Sequence, residues 1–143
     1  MVIRVVAVLC LGAAACGGSK GPSKADYLAE AKEVCQRGNA ALTAASNEAI
    51  AKVPPGQKLS GPAVEEFVRK TVVPTIRTQI KELRGIEAPK GEKAHVDEIY
   101  SALDKGIDEL EQTPSKLTDG SNVFAAADVL AQKYGISVCA TTG

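Results

Sequence analysis

The stretch from Pro62 to Gly85, PAVEEFVRKTVVPTIRTQIKELRG, decides the fold. Val64, Val68, Val72, Ile76 and Ile80 recur every fourth residue and Leu83 follows three later, so an α-helix gathers all six on one apolar stripe. Pro62 suits the first turn of such a helix, where no N–H is required, and Gly85 with Pro89 closes it. Pro74 falls inside the stripe and cannot donate to the carbonyl of Lys70. A kink there, or two helices meeting end to end, is expected. A stripe this long must be covered by other helices.

The flanking sequence supplies them. Downstream, Val96, Ile99, Leu103, Ile107 and Leu110 form the inward face of a helix predicted over Lys93 to Gln112, stopped by Thr113-Pro114. A loop through Lys116 to Ser121 turns at Asp119-Gly120. A short helix follows from about Val123 to Tyr134, with Phe124, Ala127, Ala131 and Tyr134 inward and Gly135 as its terminating residue. Upstream, a helix is predicted from Lys24 to Ile50, with Ser23 and Asp26 spaced as a capping box and Pro54-Pro55-Gly56 beyond its end. Its seam is built of small residues: Ala31, Cys35, Gly38, Leu42, Ala45 and Ala49. Gly38 on that seam reads as tight packing or as a local break. No stretch alternates as a half-buried strand does. The fold class is therefore all-α: a small antiparallel bundle of about four helices, because short connections favour antiparallel neighbours.

The chain has 143 residues, room for one domain. Trp is absent, and Tyr27, Phe67, Tyr100, Phe124 and Tyr134 are the only large rings, so the core must be mainly aliphatic. Small aliphatic cores pack tightly, and little cavity is expected. Lys+Arg and Asp+Glu both number 17, which excludes a strong electrostatic attraction for nucleic acid or anionic lipid.

Residues 1–15, MVIRVVAVLCLGAAA, read as a cleaved signal peptide: Arg4, an apolar run from Val5 to Leu11, then small residues. The run is too short for a permanent span, which needs about 20 apolar residues. The sequence Ala13-Ala14-Ala15-Cys16 resembles the bacterial lipobox, whose Cys takes a diacylglyceryl group and becomes the mature N-terminus. It departs from that motif at Ala13, where Leu is usual. The alternative is ordinary cleavage and a secreted soluble protein. Two acyl chains on Cys16 would suffice for stable membrane attachment. Bulky Val8 and Leu9 make Cys10 a poor competitor. Residues 16–22 form a lipidated Cys and flexible tether, and residues 23–143 the helical domain.

Cys35 and Cys139 remain, and outside the cytosol such a pair is expected to form a disulfide; two buried free thiols are the alternative. In the chain-entropy account, closing a loop of about 100 residues contributes up to ~4.7 kcal/mol. His95 is the only His, with no metal-binding spacing beside it and no glycine-framed nucleophile anywhere, so neither a metal site, a cofactor nor catalysis is expected. His95 reads as an exposed first-turn residue. Lys70, Arg77, Lys81 and Arg84 form a basic stripe on the second helix, matched by Asp97, Asp104, Asp108 and Glu111 on the third. These read as surface ion pairs, or alternatively as a surface on which Arg77 and Arg84 meet an anionic ligand or partner.

The segments VCQRGNAAL, FVRKTVVPTIRTQIKELRGIEAP, VDEIYSALDKGIDELE and YGISVC together resemble a group of small exported lipoproteins of actinobacteria. That group shares a Cys in the first helix, another near the C-terminus, and a Val-Pro-x-x-Arg segment between them. The resemblance covers most of the mature chain and implies export and the disulfide. It carries no activity and assigns no ligand. The expected function is a non-enzymatic lipoprotein on the outer face of the membrane, binding an envelope protein or small ligand. The alternative is a carrier or sensor for a small apolar or anionic molecule held between helices.

Overall fold

The computed structural model describes residues 21–136. The signal peptide, Cys16 and Cys139 lie outside the described residues. Within them the protein is all-helical, with no strand. Helix α1 spans Lys24–Ala51, α2 Pro62–Phe67, α3 Val73–Gly85, α4 Lys93–Gln112 and α5 Ala125–Tyr134. A π-helical turn, Val68–Val72, joins α2 to α3, and a 3₁₀ turn, Pro114–Leu117, follows α4.

The ends of these helices follow from local chemistry. Ser23 closes a capping box, its hydroxyl accepting from the Asp26 N–H while the Asp26 carboxylate accepts from the Ser23 N–H. At the far end of α5, Gly135 adopts φ +107°, a left-handed conformation that suits glycine. Its N–H bonds the Gln132 carbonyl and that of Ile136 bonds the Ala131 carbonyl, so the chain reverses with Ile136 pressed into the core.

The disruption expected at Pro74 takes the form of the π turn. The N–H of Val73 reaches back five residues to Val68, widening the helix directly before the proline, whose missing N–H and bulky ring do not fit an ordinary turn. The helical backbone continues through it. The added residue turns Val72 and Val73 inward together, although only Val72 belongs to the fourfold pattern. All six residues of the Val64–Leu83 stripe are buried.

Contacts fix the direction of each neighbour. Going up α3 from Arg77 to Arg84, the partners descend α4 from Glu111 and Asp108 to Asp104, so the two are antiparallel. Arg37 of α1 meets Glu82 of α3 while Leu42 packs near Ile76, again antiparallel. Helix α5 runs back along α4, with Phe124 against Gly106 and Tyr134 beside Glu92. A Cβ on Gly106 would lie 2.6 Å from the Phe124 ring and 2.7 Å from the Val123 carbonyl, so this crossing requires glycine.

Two apolar clusters fill the interior. One gathers Tyr27, Ala31, Val34 and Cys35 of α1 with Leu83, Ile99, Tyr100, Ala131 and Ile136. The other gathers the Val64–Ile80 part of the stripe with Ile107, Leu110 and Phe124. Helix α1 enters only the first cluster with buried residues. Its seam is buried at Ala31 and Cys35 but only partly covered at Gly38, Leu42, Ala45 and Ala49. That difference creates the site.

Candidate functional site

Beyond Cys35 the seam of α1 is only partly covered: Gly38 packs tightly on α3, where a Cβ would lie 2.5 Å from the Gln79 side chain, whereas Leu42, Ser46 and Ile50 border space that no side chain fills. The result is a groove of about 620 Å³ at the α2/π-turn end of the bundle. This corrects the expectation of little cavity. The interior is aliphatic as expected, but the space lies at its edge, between Leu42, Ser46 and Ile50 of α1 and the 116–124 loop. The volume lies within the range of about 300–1,000 Å³ usual for small-molecule sites.

The groove has a floor, two walls and a rim. Val72, Ile76, Leu110 and Phe124 are buried and form the floor. Leu42 and Ile50 of α1 form one wall, and Phe67, Leu59 and Val123 the other. Ser46, Thr118, Ser121 and Asn122 bring polar groups to the rim, together with Lys116. The loop holding this rim is ordered by its own side chains. Asp119 is bonded by the Ser121 side chain and accepts from the Ser121 N–H at 2.8 Å, which together hold its carboxyl below the usual range. Asn122 accepts from the Phe124 N–H at 3.0 Å and donates to the buried Asp128 at 3.2 Å.

The opposite end carries a polar network instead of a groove. The Tyr100 hydroxyl donates to the Leu83 carbonyl at 2.7 Å, satisfying an acceptor in the last turn of α3. That uses its single proton, so the Tyr27 hydroxyl donates to the Tyr100 oxygen, also at 2.7 Å. Tyr134 packs edge-on against Tyr27, with ring centroids 5.9 Å apart, and Lys24 Nζ sits 4.0 Å over the Tyr134 ring. Burial pushes the Tyr27 phenol up, and pushes Tyr100 up further, the neighbouring Tyr27 adding to the shift. Tyr134 is also raised, by burial and then by the Glu92 carboxylate beside it. A shallower hollow of about 390 Å³ lies here, and Lys24 and Lys133 are balanced in it by Glu92 and Glu98. Its charges answer one another, and Lys24 pairs with Glu92 at 3.3 Å.

Arg77 and Arg84 stand on the outer seam between α3 and α4, away from the groove. Arg77 pairs with Asp108 at 2.9 Å and Glu111 at 2.6 Å, and Arg84 with Asp104 at 2.5 Å. Lys70 and Asp97 pair within their own helices, with Glu66 and Lys93. The opposed stripes thus meet as cross-helix ion pairs at the two arginines. His95 is exposed in the first turn of α4. No group of three or more His, Cys, Asp or Glu able to hold a metal ion occurs among the described residues. No described helix is long and apolar enough to cross a membrane.

No family model, curated protein or solved structure matches this chain. The groove must therefore be read from its own chemistry. Most of its lining lay outside the sequence patterns: Ser46, Ile50, Leu59 and Leu117 belong to no inward stripe. Apolar residues placed off the stripe, at a helix end and in loops, were the signal available.

Proposed function

We propose that this chain is a non-enzymatic envelope lipoprotein whose bundle holds a small apolar molecule in the groove between α1, the π turn and the 116–124 loop. Residues 1–15 are removed on export and Cys16 carries the lipid anchor, as the lipobox-like Ala13–Cys16 and the resemblance to exported actinobacterial lipoproteins suggest. Cys35 joins Cys139, clasping the C-terminal segment to α1. Supporting that pairing, Cys35 is fully buried, and Ile136, three residues before Cys139, packs into the same cluster.

One observation carries the binding reading: an apolar groove of ligand-site volume with its polar groups confined to the rim. Ile50 and Leu117 are 60% and 41% exposed beside it. This favours a second reading, in which the same mouth seats an apolar side chain of a protein partner.

The test isolates the protein from membranes and weighs it twice. Under denaturing conditions the mature chain should begin at Cys16 with a diacylglyceryl group; an unmodified Cys16 would remove the anchor. Under native conditions a small-molecule adduct should appear on the wild type and disappear from Ser46→Trp, whose indole fills the groove. An adduct that survives this substitution would remove the groove as the binding site.

A further inference from the structure

We infer that the groove accepts one alkyl chain, and so selects single-chain amphiphiles over the two-chain lipids of a bilayer. This rests on the reading of the groove as a binding site and adds the class of its occupant. The rim makes few demands of a ligand, because its side chains are already engaged. The Thr118 hydroxyl donates to the Ser115 carbonyl at 3.2 Å, the Ser121 side chain is bonded to Asp119, and Asn122 holds Phe124 and Asp128. Lys116 is paired with Glu109. Recognition therefore falls to the tail, which meets a floor of Val72, Ile76, Leu110 and Phe124 with no polar side chain.

How much tail the groove covers follows from its size. A methylene fills roughly 30 Å³, about the share of one water in the liquid, so 620 Å³ covers about 20 methylenes. One long acyl chain fits that space. Two chains of about sixteen carbons each would need roughly 950 Å³ on the same measure, leaving about a third of their methylenes in water. The groove has no room to deepen for them. The next cavity inward, bounded by Leu42, Ile76 and Phe124, measures about 30 Å³. Phe124 borders both spaces, and its ring is packed on Gly106, where a Cβ would lie 2.6 Å from it. Moving that ring to join the two spaces would open a void at the α4 crossing, which is costly in a packed interior.

The experiment places the membrane-anchored protein in phospholipid nanodiscs doped with the lysophospholipid of the same head and acyl chain, so that only the number of chains differs. Native mass spectrometry of the released protein identifies the bound species by mass. Although the two-chain lipid is in excess, the single-chain adduct should exceed it by about tenfold or more. Lysophospholipids of up to about 20 carbons should bind alike, and each further methylene, drawn from bilayer into water, should cut the adduct about two- to fourfold. Ser46→Trp should lose the adduct, with circular dichroism showing the helices retained. A two-chain adduct as abundant as the single-chain one would overturn the chain-number assignment and leave the groove reading standing. Absence of any adduct, or adducts indifferent to Ser46→Trp, would overturn the groove reading itself.

Discussion

The two ends of this bundle are built from the same helices and differ in what α1 meets. At the Tyr27 end, α1 is covered by α3, α4, α5 and the returning Ile136, and the Tyr27 and Tyr100 hydroxyls are tied into a chain ending on the Leu83 carbonyl. At the Ile50 end, α1 runs on past its last buried residue, Cys35, and Leu42, Ser46 and Ile50 border a groove. Small residues on a helix are permissive. They allow close approach where a partner arrives, as Gln79 of α3 does at Gly38.

Equal truncations should separate the ends most strongly. Ile99→Ala, in the sealed cluster, should cost about 2–5 kcal/mol in chemical denaturation, whereas Leu59→Ala on the groove wall should cost about 1 kcal/mol or less. Similar losses would mean that the groove wall bears as much of the fold as the sealed core.

Next in size is Tyr100→Phe, which removes the acceptor of Tyr27 and the donor to Leu83. It should cost about 1–3 kcal/mol, and Tyr27→Phe less, because only one bond is lost. The same network sets an alkaline limit. The folded state holds Tyr27, Tyr100 and Tyr134 protonated above the ordinary phenol range, so their contribution is complete below about pH 10 and declines as pH rises beyond it. Thermal melts across that range should show a steeper fall for the wild type than for Tyr100→Phe.

Ser46→Trp sharpens the contrast from the other side. It should change stability by no more than about 0.5 kcal/mol while removing bound ligand, since the position is half-buried at the rim. Smallest of all, Arg77→Ala should cost about 0–1 kcal/mol and leave groove binding unchanged, because its exposed pairs with Asp108 and Glu111 lie on another face.

Much of this architecture was legible in the sequence because periodicity and capping are local. The Val64–Leu83 stripe, the Ser23–Asp26 box, the span of α4 and the turn at Gly135 depend on residues a few positions apart. Pro74 announced a disturbance, but its resolution as a π turn that buries Val73 depends on what packs against it. The groove was not legible. Its floor could be listed from the stripes, yet its openness depends on how the end of α1 and the 116–124 loop sit around that floor, and no local pattern encodes that arrangement. Gly106 was hidden for the same reason: only the crossing of Phe124 makes it obligatory.

The central claim is that the end where α1 loses its cover is the binding end. Its most direct test is photocrosslinking in intact cells with a diazirine-bearing long-chain alcohol, followed by peptide mapping of the labelled protein. Label should fall on peptides containing Leu42 to Ile50, Leu59 to Ile76, and Leu110 to Phe124. Label concentrated around Tyr27, Tyr100 and Tyr134, or spread evenly over the helices, would contradict the account.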